Sequence, residues 1–285
     1  MERAAVSISA DFVINTGDSF YDGGIMTSSD EQVRTSFLNV YNYTYLRSKR
    51  FFSVLGNHEY RGSVRAVMQI PQKHNFRFDI GKDGKRYYSQ VIKGASNMHL
   101  QMVFLDTSPM IDSYKIPGYD SKENFMLNRE DGIKSQWGKV EEQTAWLEDR
   151  LQNEKYPYIM RLVIGHHPIY DMTSHVGENR TFLQNRIAPL LEKYNVTAMF
   201  AGHDHNMQMI KPGKTAHFVS GAGSKLAPAA QNTPDTPESA VRFYYLENGF
   251  LACTVFLDEM RVAVVNMEGK VLDKVIVKKR FDEDR

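Results

Sequence analysis

Apolar and polar positions along the chain follow two different periods. Four short apolar runs, each the length of one buried strand, are followed by a glycine, directly in three cases and after two residues in the first, and then by polar side chains. Between the runs lie longer segments in which apolar residues recur every three or four positions, as in amphipathic helices. Strands that alternate with helices indicate a layered α/β protein. The runs are at 12–14, 51–55, 162–164 and 197–201, and the predicted helices are at 29–48, 139–153 and 180–194.

Two of the predicted helices carry details that a structure can test. The helix at 29–48 is predicted to begin at a Ser29 or Asp30 cap. Pro189 lies inside the helix at 180–194 and predicts a kink, because proline lacks the amide hydrogen that a helix interior needs. The inward face of the helix at 29–48 is predicted to carry Val33, Phe37, Val40 and Tyr41.

The C-terminal part of the chain has a different pattern. Short turns such as Asn248-Gly249 join its apolar runs, which predicts an antiparallel meander of four strands. Two long segments, 108–137 and 221–240, are rich in proline, glycine and polar residues, and loops of this length are often functional lids or surface excursions. Because no linker interrupts the pattern, we expect a single domain over 1–285. The predicted meander strands are 242–246, 249–257, 261–266 and 271–277, and three further strands are predicted at 87–92, 99–105 and 217–220.

Composition and charge narrow the classes of partner. The formal net charge is +1, so neither nucleic acid nor an anionic membrane is expected. No stretch approaches the roughly 20 apolar residues of a membrane span, and the first residues lack the apolar centre of a signal peptide. The single cysteine excludes an internal disulfide. Glycosylation sequons begin at Asn42, Asn179 and Asn195; they are a weak indication of secretion, since such triplets also arise by chance.

The glycine after each strand-like run is followed by side chains that bind metals. Glycine lets the chain leave a strand sharply, so that the next side chain points into a pocket at the edge of the sheet. Six of the nine histidines lie in or near these turns. Carboxylate, amide, imidazole and phenol groups that converge from several strand ends are typical of two-metal hydrolytic sites. The turns read Gly17-Asp18-Ser19-Phe20-Tyr21, Gly56-Asn57-His58-Glu59, Gly165-His166-His167-Pro168 and Gly202-His203-Asp204-His205.

Individual residues suit individual roles in such a centre. Asp18 is suited to bridge two cations because a carboxylate offers several lone pairs, and Asn57 adds a neutral carbonyl oxygen. His203 and His205 lie two residues apart, so in an extended backbone they face the same side and one can serve each ion. Tyr21 favours a strongly acidic ion such as Fe(III), although an isolated tyrosine here would more often be a half-buried loop aromatic.

The ordered set of motifs resembles the metallophosphoesterase superfamily, and within it the low-molecular-weight purple acid phosphatases of the tartrate-resistant type. Gly-Asp-x-x-Tyr, Gly-Asn-His-Glu, Gly-His-His-Pro and Gly-His-x-His appear here in the family's order. The similarity extends from about Asp11 to the C-terminal meander. Serine/threonine phosphatases of the superfamily lack the tyrosine and carry an Asp-Arg-Gly continuation that is absent after Asp18. Tyr21 also argues against a phosphodiesterase or nucleotide phosphatase of the same superfamily.

The resemblance implies a fold, an activity and a set of roles. The implied fold is α/β, a four-layer αββα sandwich of two mixed sheets with helices outside. The implied activity is that of an acid phosphatase, which hydrolyses small phosphate monoesters with a metal-bound hydroxide at a binuclear centre. A monomer is expected, secreted or in a lysosome or vacuole. By position, Asp18 would bridge the ions, Tyr21 and His205 would bind Fe(III), Asn57, His166 and His203 would bind Fe(II), Zn(II) or Mn(II), and His58 and His175 would hold the phosphate or protonate the leaving group.

Two of the histidines have a plainer interpretation. His175 lies in a polar loop outside any glycine turn, where an ordinary surface histidine is the alternative to a catalytic one. His167 is expected to pack or hydrogen-bond beside His166 rather than to bind a metal.

One family motif is missing from the chain. The family's first strand ends in Gly-Asp-x-Gly, whose aspartate is a further Fe(III) ligand, and no such segment precedes Asp18. Asp11 begins the strand that leads to Asp18, so it should lie a strand's length away, at roughly 3.3 Å per residue. We therefore expect the sheet to lack a strand and to keep an unpaired edge. The alternative function is an N-terminally truncated, catalytically impaired relative that binds metal or phosphate without efficient turnover.

Overall fold

The computed structural model of the chain describes residues 1–74, 78–81, 83–94, 98–116, 130–152, 159–172, 178–226, 236 and 238–279. The described part contains 13 strands, numbered in chain order. They are β1 (Phe12–Asn15), β2 (Arg50–Ser53), β3 (Phe78–Ile80), β4 (Tyr88–Lys93), β5 (His99–Phe104), β6 (Ile159–Ile164), β7 (Ala198–Ala201), β8 (Met207–Ile210), β9 (Ala216–Ser220), β10 (Val241–Tyr245), β11 (Gly249–Val255), β12 (Glu259–Asn266) and β13 (Val271–Lys278).

Helices connect these strands. The α-helices are α1 (Glu2–Ser7), α2 (Thr44–Arg47), α3 (Asn57–Arg61), α4 (Val64–Met68), α5 (Ile70–His74), α6 (Val140–Gln152) and α7 (Ala188–Lys193). The described ranges also contain two π-helical segments, Val33–Leu38 and Leu183–Ile187, and the 3₁₀ segments Ser108–Met110, Asp112–Lys115, Ile133–Lys139 and Glu238–Ala240. Among the described helices, none has the length and apolar character to span a membrane.

The strands form one large sheet and two small ones. The seven-stranded sheet has the order β10-β8-β9-β7-β6-β5-β4, and its central strands β5, β6, β7 and β9 run parallel. Strands β1, β2 and β3 form a parallel sheet, and β11, β12 and β13 form an antiparallel one.

Neighbouring residues on the parallel strands pack into different cores, which shows how the layers stack. Phe51 of β2 and Val163 of β6 pack among the helices, whereas the adjacent Phe52 and Leu162 lie in the core between the sheets. Successive side chains of a strand point to opposite faces, so both faces of these strands are covered, as is usual for parallel sheets. The predicted α/β fold, with sheets flanked by helices, is confirmed.

The layer that faces the seven-stranded sheet is divided in two. Strands β1 and β11 border one cavity of about 680 Å³, and within the described ranges neither strand pairs with another on that side. The described strands therefore form three sheets, where the prediction has two. The expected unpaired edge is thus present at β1 among the described strands. Asp11 lines this cavity at the start of β1, at the opposite end of the strand from Asp18.

The prediction of a four-stranded meander is wrong for its first strand, β10. β10 pairs with β8 in the seven-stranded sheet, and the meander contains β11, β12 and β13. The sequence pattern does not predict β8, which follows directly after the Gly202-His203-Asp204-His205 turn and supplies the edge to which β10 binds.

Two of the three predicted helices differ from expectation in detail. Oδ1 of Asp30 accepts a hydrogen bond from the Gln32 amide, as predicted for a cap, but the helical segment ends at Leu38 and Val40 is 48% exposed rather than inward. Pro189 lies in the first turn of α7, where a missing amide hydrogen is tolerated. The helical path therefore continues through it. The third helix, predicted at 139–153, is confirmed as α6.

Candidate metal centre

The loops that follow β1, β2, β6 and β7 meet at one end of the sheets. Parallel pairing of β1 with β2 and of β6 with β7 places the carboxyl ends of these strands on a common edge. The loops bring seven of the eight predicted site residues together, and the eighth, His175, lies outside the described residues. The seven are Asp18, Tyr21, Asn57, His58, His166, His203 and His205.

Glycine is required at two of the turns for different reasons. Gly17 has φ +92°, a conformation that residues with a side chain rarely adopt, so the chain leaves β1 sharply as predicted. Gly56 has an extended backbone instead. A Cβ atom on Gly56 would lie 2.1 Å from Oδ1 of Asp18, so close approach of two loops explains this glycine.

Four donor atoms surround one point, which we call the inner pocket (Asp18, Asn57, His166 and His203). Nε2 of His166 lies 3.1 Å from Oδ1 of Asn57 and 3.2 Å from Oδ2 of Asp18. Nδ1 of His203 lies 3.2 Å from both the Asn57 oxygen and the His166 nitrogen. Such separations suit ligand atoms that share one cation at roughly 2 Å from each. The donor set of two imidazoles, an amide and a carboxylate therefore fits a divalent metal.

A second set of donors shares the same carboxylate oxygen and forms the outer pocket (Asp18, Tyr21 and His205). The hydroxyl of Tyr21 lies 3.1 Å from Oδ2 of Asp18 and 3.2 Å from Nε2 of His205. The other oxygen, Oδ1, accepts a hydrogen bond from the His58 amide at 2.9 Å, which orients the carboxylate. One oxygen of Asp18 thus borders both pockets.

The inner-pocket histidines are held through their outward nitrogens. Nδ1 of His166 contacts the Thr16 carbonyl oxygen at 2.7 Å, which fixes the tautomer that leaves Nε2 facing the pocket. Nε2 of His203 lies 3.2 Å from Oε1 of Glu178, which leaves Nδ1 facing the pocket. A carboxylate or carbonyl behind a ligand histidine is the usual arrangement at metal sites, because it fixes the ring and raises its basicity.

The pKa values of the buried groups at the centre depend on two opposing effects. Burial disfavours the charged form of each group, and a nearby opposite charge favours it. Burial alone would raise the pKa of Asp18, but His166, His58 and His203 together hold that pKa well below its ordinary value. Burial alone would lower the pKa of His166, but the Asp18 carboxylate outweighs it and raises this pKa to about 9. A cation in the inner pocket would therefore compete with a proton on His166. Burial, and then the Asp18 charge, raise the pKa of the Tyr21 phenol.

His167 lies against the inner pocket but has other partners. One ring nitrogen each of His166, His167 and His203 lies within 4.8 Å of the others. Nδ1 of His167, however, lies 2.9 Å from the Thr107 hydroxyl, and Nε2 lies 2.9 Å from the Tyr114 hydroxyl. Since both nitrogens are engaged, the expectation that His167 hydrogen-bonds beside His166 agrees with the geometry.

Glu59 joins two of the glycine turns, a role that the sequence interpretation misses. Its buried carboxylate accepts hydrogen bonds from the amides of Gly56 (2.7 Å), Asp18 (2.9 Å) and Ser19 (2.6 Å). Burial, followed by the Asp18 charge, raises its pKa to about 7, against the effect of these amides. A signal was available, because a glutamate three residues after a helix cap commonly bonds back to the cap amide.

A buried ionic network supports Glu178 from behind. The Arg180 guanidinium contacts Asp171, lies 2.8 Å from Oε2 of Glu178 and lies 3.7 Å from Asp204. Burial would raise the pKa of Glu178, but His203 and Arg180 hold it well below the ordinary value. The sequence interpretation misses this network, since its members meet only in the folded chain.

In sequence, the chain is similar to known phosphatases. A family profile described as calcineurin-like phosphoesterase matches residues 1–207. Tartrate-resistant acid phosphatase type 5 of Rattus norvegicus is 29% identical over 287 residues, which cover 98% of this chain and 82% of the relative. Purple acid phosphatase 17 of Arabidopsis thaliana is 27% identical over 290 residues, which cover 99% of this chain and 78% of the relative.

In structure, the chain is similar to two solved proteins of related fold. GAP50, the anchor in the inner membrane complex of Plasmodium, matches with a TM-score of 0.75 at 17% identity, over 99% of this chain and 82% of that one. The purple acid phosphatase PPD1 from yellow lupin (Lupinus luteus) seeds matches with a TM-score of 0.58 at 16% identity, over 98% of this chain and 48% of that one. At these identities the likeness concerns the fold.

Proposed function

This chain belongs to the calcineurin-like phosphoesterase family, a family of hydrolases, and from that premise we propose that it is an acid phosphatase with a binuclear metal centre. Similarity to acid phosphatases over nearly the whole chain supports hydrolysis of phosphate monoesters. The proposal of two metal ions is supported chiefly by the position of Asp18. Its Oδ2 lies 3.2 Å from Nε2 of His166 in the inner pocket and 3.1 Å from the Tyr21 hydroxyl in the outer pocket.

The donor sets favour different metals in the two pockets. We propose Fe(III) in the outer pocket, because only a strongly acidic cation displaces the proton of a phenol whose pKa is raised, as that of Tyr21 is. We propose Fe(II), Zn(II) or Mn(II) in the inner pocket, where imidazole, amide and carboxylate donors suit several divalent ions. When bound, the two cations would offset negative charge on the phosphoryl oxygens and lower the pKa of a bound water.

Two histidines are proposed to act on the phosphate ester itself. Nε2 of His58 lies 3.9 Å from Oδ2 of Asp18, and its side chain is 12% exposed, so it borders both the pockets and the solvent. Nδ1 of His58 contacts the Asp22 carbonyl oxygen at 2.7 Å, which holds the ring in place. This position suits a group that holds the phosphate or protonates the leaving oxygen. For His175 the same role rests on the family resemblance alone.

The first test is the metal content of the purified protein together with phosphate release from phenyl phosphate at acidic pH. Two metals per chain, one of them iron, together with phosphate release, would support the proposal. One metal or none, with no phosphate release after reconstitution with iron and zinc, would contradict it.

A second candidate function is binding of metal or phosphate without efficient turnover. It is favoured by the outer pocket, in which Asp18 is the only carboxylate ligand among the described residues and is shared with the inner pocket. A single shared carboxylate gives a trivalent ion little charge compensation. Retained metal with no hydrolysis of phenyl phosphate would favour this candidate.

The family resemblance also suggests a compartment and an assembly state for this chain. We propose that the protein is a monomer that is secreted or resides in a lysosome or vacuole. Asn42 and Asn179, which begin two of the glycosylation sequons, are exposed, whereas Asn195 is half-buried. Sensitivity of the native protein to a glycosidase, together with a mass from light scattering, tests both points.

A further inference from the structure

A line of hydrogen bonds runs behind the inner pocket and ends at His203. We call its four members, Thr107, His167, Tyr114 and Glu178, the relay. The Thr107 hydroxyl lies 2.9 Å from Nδ1 of His167, and Nε2 of the same ring lies 2.9 Å from the Tyr114 hydroxyl. That hydroxyl donates a hydrogen bond to Oε1 of Glu178 at 2.9 Å. The same carboxylate oxygen lies 3.2 Å from Nε2 of His203.

The relay is buried and draws its members from separate parts of the chain. Thr107 follows β5, Tyr114 lies in the 3₁₀ segment Asp112–Lys115, and His167 follows β6. Each member of the relay is at most 3% exposed. Since buried polar groups are almost always hydrogen-bonded, each ring or hydroxyl hydrogen can be assigned to one of these contacts.

The direction of the relay is set at Thr107. Its hydroxyl oxygen accepts hydrogen bonds from the backbone amides of His166, at 3.1 Å, and of His167, at 3.0 Å. A hydroxyl has two lone pairs and one hydrogen. Because the two amides occupy the lone pairs, the hydrogen is donated to the third neighbour, Nδ1 of His167. Nδ1 therefore carries a lone pair, and the hydrogen of the neutral ring is on Nε2.

This tautomer of His167 directs the hydroxyl hydrogen of Tyr114. The Nε2 hydrogen is donated to the Tyr114 oxygen, so the hydrogen of that hydroxyl points to Glu178. In the opposite tautomer, Nε2 would accept the Tyr114 hydrogen instead. Lone pairs of Tyr114 and Glu178 would then face each other at 2.9 Å, an arrangement that is costly between buried groups. The tautomer of His167 thus determines whether this oxygen of Glu178 is held.

Glu178 passes this constraint to His203. Its other oxygen, Oε2, accepts a hydrogen bond from Nε of Arg180 at 2.8 Å, so the carboxylate is held at both oxygens. A carboxylate fixed behind a histidine keeps the ring hydrogen on the near nitrogen and directs the other nitrogen to a metal. At His203 the near nitrogen is Nε2, and Nδ1 faces the inner pocket.

We infer that His167 is a positioning residue for the metal of the inner pocket and acts through the relay on His203. This inference rests on the proposed function, because it assumes that a metal occupies that pocket. The relay begins at a hydroxyl that also holds the amide of His166. One buried hydroxyl therefore contributes to the placement of both histidines of the inner pocket.

The first test is the tautomer of the histidine rings in the metal-free protein. ¹⁵N NMR distinguishes ring nitrogens with and without a hydrogen, and single histidine-to-glutamine variants identify the signals of His167 and His203. We expect one neutral tautomer of His167, with its hydrogen on Nε2. Thr107→Val keeps the shape of the side chain but removes the hydroxyl, so the signals of His167 should move towards a mixture of tautomers. The signals of His203 should shift as well.

Direct contact between the two rings must be separated from the relay. The rings of His167 and His203 have centroids 4.4 Å apart. Tyr114→Phe interrupts the relay and leaves this ring contact in place. We therefore expect the response of His203 to Thr107→Val to disappear when Tyr114→Phe is also present.

The second test is the affinity for the first equivalent of zinc, measured by competition with a chelator. Tyr114→Phe should weaken zinc binding about tenfold, as does the loss of a group that orients a ligand. Thr107→Val should weaken it about fivefold or more, and Thr107→Ser, which restores the hydroxyl, should recover most of the loss. The matched controls are Tyr88→Phe and Thr144→Val, which remove buried hydroxyl groups that bond to backbone carbonyls away from the centre. They should leave zinc affinity unchanged.

A double variant tests whether the relay acts through Glu178. Tyr114→Phe and Glu178→Gln alter the same contact, so together they should weaken zinc binding by less than the product of their separate effects. Losses that multiply would mean that Tyr114 supports the pocket by another route, and would overturn the inference. Unchanged zinc affinity in Tyr114→Phe would overturn it as well.

The spectra of the metal-free protein separate failure of this inference from failure of the proposed function. If the unsubstituted protein binds no zinc, the proposed function fails, and the relay is judged on the tautomers alone. A hydrogen on Nδ1 of His167 would reverse the relay and overturn the inference. A response to Thr107→Val that is confined to His167, or that reaches His203 equally in the presence of Tyr114→Phe, would also overturn it.

Discussion

The inner and outer pockets share Asp18 but differ in how firmly their other members are held. In the inner pocket Asn57, His166 and His203 are 5%, 0% and 6% exposed. In the outer pocket Tyr21 and His205 are both half-buried and lie on loops.

The difference indicates that one pocket is preorganised and the other is adaptable. The nitrogens of His166 and His203 that face away from the inner pocket lie against the Thr16 carbonyl and Glu178. The rings are therefore already held in position when a cation enters. Such supporting contacts are what a binding site needs in order to be preorganised. The outer pocket depends on a phenol whose proton must leave before it can bind. We expect the inner pocket to load first and to retain its metal longer.

The largest effect should follow loss of a predicted metal ligand from the inner pocket. His166→Ala removes a nitrogen that lies against both Asn57 and Asp18. We expect one metal per chain to be lost and kcat/KM for phenyl phosphate to fall by at least about a hundredfold, more than the loss of an outer partner. His205→Ala is the matched variant in the outer pocket and should leave the inner metal in place. Elemental analysis of both variants measures this, and loss of the same metal from both would contradict two distinct pockets.

A smaller effect should follow loss of the charge behind His203. Glu178→Gln keeps the shape of the side chain but removes the carboxylate, so we expect metal affinity of the inner pocket to fall roughly 10- to 100-fold. Glu268→Gln, an exposed change in the meander, is the control. Competition with a chelator measures the affinity. If the variant has a lower free energy of unfolding but unchanged metal affinity, Glu178 contributes to the ionic network with Arg180 and not to metal binding.

Loss of the outer-pocket phenol should change the visible absorption spectrum strongly and should leave the metal of the inner pocket bound. In iron-loaded protein, Tyr21→Phe should abolish the visible charge-transfer band, because the phenolate that gives rise to it is gone. The inner metal and the circular dichroism spectrum should be unchanged, since the phenylalanine ring can still pack against the His58 ring. A band that survives the substitution would contradict the assignment of Tyr21 as an iron ligand.

The smallest effect concerns how the free energy of unfolding depends on pH through a residue away from the centre. This dependence must be known before metal binding by the two pockets is compared at acidic pH. Burial lowers the pKa of His217 from 6.5 to about 4. Between these values the unfolded chain binds a proton that the folded chain does not, so stability is present above pH 6.5 and is lost as the pH falls. From pH 7 to about pH 5.5 the loss should be about 1 kcal/mol. Urea unfolding of His217→Leu should show a correspondingly flatter pH dependence, and an unchanged slope would exclude His217 as the cause.

The sequence predicts much of the candidate centre because each of the four glycine turns is local. A buried strand, a glycine and polar side chains follow one another within a few residues, and parallel pairing then brings the four turns to one edge. The strands buried on both faces are predicted for the same reason, since a continuous apolar run is sufficient to identify them.

What the sequence does not predict depends on pairings between distant parts of the chain. β10 binds to β8 rather than to β11, and no turn residue records that choice. Glu178 lies behind His203 because two loops meet there, and Lys225 lies near Tyr21 for the same reason. Glu59 is the exception, because its position after the helix cap is a local signal for one of its three hydrogen bonds.

The cavity between β1 and β11 affects how a shift of one strand is transmitted to other strands. A ladder of backbone hydrogen bonds transmits a shift of one strand to the next, and across this cavity the described strands form no such ladder. Among the described residues, the meander and β1 both pack on the core that they share with the seven-stranded sheet, so movement of the meander can reach the turn at Asp18 through that core. A tag or fused domain that shifts β13 should therefore displace the meander more than the glycine turn at Asp18, because no backbone ladder joins β11 to β1 among the described strands.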